Sequence, residues 1–527
     1  MPILIKKDKK AELAREQKQD SETELKEARK EVPELKKSDV KTQVLDTYQF
    51  TSRNIPITIT INKHPDHFVP LYDIDIASIS KNTEIILEKV RKELIEKVNI
   101  GMIEITEAKE SGIIEEKFSK TINQLIKKYF PDADEKTIQF LTSYLVEKSL
   151  GLGPIEILMN DSHLEEIAIN SAHEPVWVYH RKFGWLKTSI SIPVEEQTRH
   201  YATMIGRKSG RQITLLEPLM DATSTSGDRV NATLIPISTY GNTITIRKFA
   251  SKPWTITDFL SKKAISVQGA ALIWLSIQYE LSMLFTGGTG SGKTSMLNVA
   301  SSFFPPNQRI ISIEDTRELQ LPKYLHWVPM LTRLPNPEGK GEVSMLDLLV
   351  NSLRMRPDRI AVGEIRRKKE AEVLFEAIHT GHSVYATVHA NDTKETITRL
   401  TNPPIDISKT LIPAISVIVV MYRNRRTGDR RVFQISEIGD DASYNVLYQL
   451  DIKAGELKKV NNSQSLYTTL SVFTGMSKKD IDQDLEEKEM VLNWVVKQNI
   501  NDVDEVGKIM AKYYTDKEQL MKLIKGK

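Results

Sequence analysis

Alternating apolar and polar positions open the readable part of the chain. Ile55-Pro56-Ile57-Thr58-Ile59-Thr60-Ile61 puts every second side chain on one face, which predicts a half-exposed β-strand. The period then lengthens to that of a helix. Ile86, Leu87, Val90, Leu94 and Val98 share one helical face; Phe118, Ile122, Leu125, Ile126 and Tyr129 share another, which Pro131 ends. Asp134 is placed to cap a third helix with Ile138, Leu141 and Leu145 inward and Gly151 as its stop. The pattern predicts a docking domain over 46–139, one strand followed by helices.

Short apolar runs follow, separated by turn signals: Ile167-Ala168-Ile169, Val176-Trp177-Val178-Tyr179 and Thr243-Ile244-Thr245-Ile246. They predict an α+β domain over 140–252 built on a small antiparallel sheet. Ser251-Lys252-Pro253 reads as a linker. Over 256–470 strands alternate with helices, the βαβ pattern of a nucleotide-binding α/β domain. The segment 471–527 reads as helices rich in Lys and Glu, with Val491, Leu492, Trp494, Val495 and Val496 as their apolar face.

A length of 527 residues fits about three domains. With 40% hydrophobic and 27% charged residues, both a sizeable core and a solvated surface are available. A net charge of +3 disfavours a nucleic-acid binder driven by bulk charge, so no stable nucleic-acid partner is expected. The chain has no cysteine, which excludes disulfides, cysteine-ligated zinc and thiol catalysis. Residues 1–45 hold 12 basic and 10 acidic side chains and read as a charged flexible tail. The run Ile412 to Met421 is too short to span a bilayer, and Ala270 to Phe285 is broken by Gln278, Tyr279 and Glu280. No apolar stretch follows the basic Met1 to Lys10, so a soluble interior protein is expected.

The chemistry centres on Gly287-Gly288-Thr289-Gly290-Ser291-Gly292-Lys293-Thr294, which fits the phosphate-binding loop G-x-x-x-x-G-K-[ST]. A buried strand over Leu281 to Phe285 precedes it, and a helix bearing Met296, Leu297, Ala300 and Phe303 follows. Glycines let backbone N–H groups close on phosphate oxygens, and the helix start favours an anion. Lys293 is expected to bridge the β- and γ-phosphates of ATP, and the Thr294 hydroxyl to ligate Mg²⁺. Two further apolar strands end in acids, Ile310 to Asp315 through Glu314, and Ile360 to Glu364. Carboxylates at the ends of parallel strands can orient water and sit near the metal. Val384 to Val388 predicts another core strand; His389 follows it directly and His382 lies just before it.

Four ordered stretches resemble the type II/type IV secretion ATPase superfamily: "LFTGGTGSGKT", "IISIEDTRELQLP", "EGKGEVSMLDLLVNSLRMRPDRIAVGEIR" and "TGHSVYATVHAND". The resemblance runs from about 140 to 440. It implies a RecA-like ATPase domain preceded by an α+β, PAS-like domain; the small N-terminal helical domain ahead of these rests on the apolar pattern alone. It also implies roles: Gly287 to Thr294 as Walker A; Glu314, Asp315 and Glu318 as an acidic box, with Glu314 the catalytic carboxylate; Glu364 as the Walker B acid, beside the metal; and His382 and His389 as a histidine box. Arg229 in "RVNATLIP" and Arg247 in "ITIRKF" resemble arginine fingers presented by the preceding domain.

The same resemblance implies a homo-hexamer that converts ATP hydrolysis into rigid-body domain closure against a polytopic membrane platform protein, at the inner face of the cytoplasmic membrane. Lack of cysteine excludes the four-cysteine zinc element common in the bacterial pilus and type II branches. The wording of the third stretch resembles the archaeal and tight-adherence-type branch, and the helical C-terminus resembles archaeal members in particular, which favours an archaeal pilus-type or archaellum-type ATPase. The implied work is assembly, or retraction, of such a filament. Alternatives are energising protein or DNA export, a nucleic-acid translocase, and a nucleotide-binding scaffold without turnover.

Overall fold

The computed structural model describes residues 42–526 except 53–54, 77–80, 98–110, 151, 225, 250–251 and 337. The expected tail therefore lies outside the described residues up to position 41, as do Val98, the helix stop at Gly151 and the first linker residue, Ser251.

Two nine-stranded sheets organise the chain. The first contains β1 (Gln43–Ser52), β2 (Ile55–Lys63), β3 (Leu71–Ile76), β4 (Leu164–Ile169), β5 (Pro175–His180), β6 (Gly184–Ser191), β7 (Leu219–Thr223), β8 (Arg229–Thr233) and β9 (Thr243–Arg247), in the order β1-β2-β3-β6-β5-β4-β9-β8-β7. The alternation in β2 is realised: Ile55, Ile57, Ile59 and Ile61 are all buried, while Pro56 is exposed. Their face shares one core with Ile167, Val178, Leu186 and Ile246.

That pairing corrects the predicted boundary at 139. β1–β3 extend the following sheet rather than joining the helices, because β2 carries one apolar face and finds its cover there. The helices Lys81–Lys97, Ser111–Tyr129 and Glu135–Leu150 pack around a core of their own, including Leu87, Leu94, Ile122 and Leu141. The third helix crosses the predicted boundary. Asp134 caps it as expected, its Oδ1 accepting from Thr137 N at 2.8 Å.

The joint between β3 and β6 is parallel and short, with two register pairs, Leu71 with Lys187 and Tyr72 with Thr188. Beside it lies the buried Asp161. Its Oδ2 accepts from the hydroxyls of Tyr48 on β1 and Tyr72 on β3, each at 2.6 Å. Hydrogen bonds to the charged form hold the Asp161 carboxyl below its ordinary value although burial opposes them.

The second sheet runs β12-β11-β13-β14-β10-β15-β16-β17-β18. Its strands are β10 (Met283–Gly287), β11 (Arg309–Glu314), β12 (His326–Leu331), β13 (Arg359–Val362), β14 (Ser383–Val388), β15 (Val417–Arg423), β16 (Arg430–Ile438), β17 (Tyr444–Asp451) and β18 (Glu456–Lys459). β10 to β15 pair in parallel and β16 to β18 add an antiparallel edge. Helices cover both faces of the parallel part, so β10, β13 and β14 are buried at every position, as their unbroken apolar runs require. This is the RecA-like α/β arrangement.

The C-terminal helices belong to this domain and not to a segment of their own. Lys478–Lys497, Val503–Thr515 and Lys517–Lys525 share a core with the wholly apolar middle of the Val267–Gln278 helix. Trp274 stacks on Phe303 with ring centroids 5.2 Å apart, and its Nε1 donates to the Tyr514 hydroxyl at 2.8 Å. The buried Lys488 donates to Asp484 Oδ1 at 2.6 Å beside the rings of Trp274 and Tyr513. Among the described residues no helix is long and apolar enough to cross a membrane.

Candidate active site

β10 ends at Gly287, between β14 and β15, and the chain turns at once into the helix Lys293–Ser301. The turn needs its glycines. A Cβ at Gly287 would stand 2.4 Å from Ser291 Oγ and 2.5 Å from the Met421 carbonyl oxygen, and φ there is +150°. Gly292 caps the helix at φ +95°, in the left-handed region, aiming the first helical N–H groups out of the loop. Ser291 Oγ is buried and without a hydrogen-bond partner, a polar atom waiting inside the cradle. These observations fit a polyphosphate with a divalent cation: the loop supplies N–H groups and Lys293 the positive charge, while Thr294 and Glu364 are the candidate metal side.

Lys293 is 8% exposed. Its Nζ donates to the Gly288 carbonyl at 3.2 Å and to His389 Nδ1 at 3.3 Å. Burial lowers its pKa, while Glu364 and Glu318 pull the other way. His389 Nε2 meets Glu364 Oε1 at 3.1 Å. Since Nδ1 faces an ammonium and can only accept, Nε2 carries the hydrogen and donates to Glu364. Burial and the Lys293 charge both lower the His389 pKa, while the Glu364 charge opposes them. A continuous polar chain therefore runs from the phosphate loop through His389 to the acid that follows β13.

The other acids divide into two kinds. Glu314, at the end of β11, is 2% exposed, and its Oε1 accepts from the backbone N–H of Glu318 at 2.9 Å and of Leu319 at 3.1 Å. Its Oε2 is buried without a partner. Burial pushes this carboxyl up to about 7, against the two N–H groups, which favour its charged form. Asp315 is half-exposed and accepts from Thr332 Oγ1 at 3.1 Å.

Arg229 and Arg247 are direct cross-strand neighbours on β8 and β9, so they share one face of the first sheet. That face meets the second domain: Arg247 Nη2 lies 3.6 Å from Glu318 Oε1, and Arg229 is within electrostatic reach of Asp315. Arg229 itself is held by Asp221, with Nη2 to Oδ2 at 2.7 Å.

His382 is not brought into this group. It and His389 flank β14 at opposite ends, roughly 20 Å apart at the rise of an extended strand. Its Nδ1 instead lies 3.1 Å from the Ala377 carbonyl, at the end of the preceding helix. Residues without a predicted role do reach the loop. Asn391 Oδ1 and Arg423 Nη1 stand 3.1 Å from where Cβ atoms of Gly288 and Gly290 would be. Arg423 Nη2 donates to Tyr179 of β5 at 2.6 Å, and Arg430 Nη2 pairs with Glu165 of β4 at 3.1 Å. No sequence signal marks the contacts of Arg423 and Arg430, because the β15–β16 hairpin meets β4 and β5 only in the folded chain. Arg366, within the "GEIR" stretch beside Glu364, had a signal by position.

Residues 223–434 match the family described as type II/IV secretion system protein. A protein of Methanocaldococcus jannaschii is 30% identical over 550 residues, covering 94% of this chain and 97% of that protein. A second protein of that organism is 38% identical over 348 residues, 64% of this chain; the match spans 46% of that longer relative. The type IV secretion system protein PtlH homolog of Bordetella bronchiseptica is 30% identical over 302 residues, 51% of this chain and 88% of that protein. The stretch that matches the family model holds the loop, the acids and their facing arginines, and the chain belongs to the type II/IV secretion system protein family.

Proposed function

We propose that the chain is a Mg²⁺-dependent ATPase that works as a homo-hexamer and drives assembly, or retraction, of an archaeal type IV pilus-like or archaellum filament through a polytopic platform protein at the inner membrane face. The observation that supports hydrolysis best is the polar chain Lys293–His389–Glu364, which connects the phosphate loop to the acidic strand end. Lys293 and the loop amides bind and orient the β- and γ-phosphates. Thr294 and Glu364 would hold Mg²⁺, which supplies charge neutralisation at the phosphates. Glu314, with a pKa near neutrality, is suited to take a proton from the attacking water, and His389 holds Glu364 in register.

Arg229 and Arg247 face the acids from the first sheet, where they would meet charge that develops at the γ-phosphate. Closing the first sheet on the second domain would turn that contact into movement. A second reading, energising export, is favoured by the name of the Bordetella relative. The test is ATPase rate against protein concentration with Mg²⁺, with light scattering in the same buffer. Turnover per chain should rise as a six-subunit species forms, and Lys293→Ala should abolish it. Concentration-independent turnover by a monomer would defeat the ring.

A further inference from the structure

Arg366 lies two residues after Glu364. Its guanidinium donates to Glu364 Oε2 through Nη2 at 2.7 Å and Nε at 3.0 Å, and to Asp315 Oδ2 through Nη1 at 2.7 Å. One planar side chain thus closes on carboxylates from the ends of two strands, β11 and β13. The other Glu364 oxygen already faces His389. Both oxygens of the candidate metal carboxylate are therefore taken by protein donors. Two neighbouring carboxylates repel unless a cation stands between them, and a guanidinium can do this with its fork where an ammonium reaches only one at a time. The side-chain hydrogen bonds of Arg366 go to these two acids and none reaches the phosphate loop. It is also half-exposed, so it can swing away without disturbing the core.

We propose that Arg366 is a positioning residue that occupies the Glu364 carboxylate in the metal-free site and is displaced by the divalent cation that arrives with nucleotide. The inference rests on the reading of Glu364 as the metal-side acid of an ATP site. Two cations competing for one carboxylate weaken each other's binding by a common factor. Arg366 therefore lowers the affinity for Mg²⁺–nucleotide and leaves metal-free nucleotide binding at the loop alone.

The test is titration of the full-length protein with a fluorescent ADP analogue in excess Mg²⁺ and, separately, in EDTA. The ratio of the two dissociation constants reports the metal linkage. In Arg366→Gln the preference for Mg²⁺ should rise about fivefold or more, with affinity in EDTA at the wild-type value. Arg366→Lys should give a smaller rise in the same direction. An unchanged or falling ratio in Arg366→Gln overturns the proposal, as does equal weakening in both buffers, which a purely structural role predicts. If Arg366→Gln fails to fold, Arg366→Lys decides alone: a raised ratio supports the displacement and a wild-type ratio ends it. Wild-type protein with no affinity in either buffer would overturn the ATP-site reading and this inference with it.

Discussion

Glu314 carries a pH dependence that can be derived from its surroundings. Its carboxyl titrates at about 7 in the fold and near the usual 4.5 when the chain is unfolded. Between those values the folded state holds a proton that the unfolded state has lost, so stability falls as pH rises from roughly 4.5 to 7 and is level above. The cost of ionising Glu314 in place is on the order of 3 kcal/mol. Glu314→Gln keeps an oxygen for the N–H groups of Glu318 and Leu319 and removes the titration. The variant should therefore melt higher than wild type at pH 8 and alike at pH 5; equal gaps at both pH values would show that burial does not set this group's behaviour. Lys293→Ala is a different kind of loss, since it removes the charge at the loop. It should weaken binding of an ATP analogue by about ten- to a hundredfold in a direct titration.

β8 and β9 act as a unit, because the pairing that joins them also sets Arg229 beside Arg247. Arg229→Ala should leave nucleotide affinity near wild type and lower turnover by about a thousandfold, since its charge matters most in the transition state. Equal loss of affinity and turnover would make Arg229 a binding residue instead. The strands around the phosphate loop were legible beforehand for a physical reason. β10, β11, β13 and β14 are buried on both faces, so each reads as a continuous apolar run that stops at a glycine, an acid or a histidine. The β3–β6 joint left no such trace, because two pairs between residues more than a hundred positions apart impose no local pattern. The resemblance groups His382 with His389 as a histidine box, yet an extended strand separates its two ends as far as any element of that length can. Tyr179, Arg423 and Arg430 were illegible for the opposite reason: they are remote in sequence and adjacent in space.

The molecule as a whole is two sheets that meet at the nucleotide loop, each with a helical layer whose removal has a foreseeable cost. Ile481, Val491, Leu492, Val495, Met510 and Tyr513 are all buried in the C-terminal layer. At about 1.5–3 kcal/mol for each such side chain, their sum is as large as the whole stability of an ordinary domain. A chain ending at residue 477 should accordingly be insoluble or lack a cooperative melting transition; a soluble, sharply melting product would mean that the helix bearing Trp274 has another cover. The first sheet has a different weakness. Two register pairs, the Asp161 carboxylate gripping Tyr48 and Tyr72, the Lys182–Asp46 ion pair, the Asn160–Ser52 hydrogen bond and the apolar face of β2 fasten β1–β3 to the rest. The β3–β6 ladder has the fewest register pairs in the sheet, so it offers the least backbone resistance to tension applied through the N-terminal strands. A tug on the N-terminal strands is then passed to the body by side chains, the buried β2 face and the ring of partners around Asp161, more than by the strand ladder.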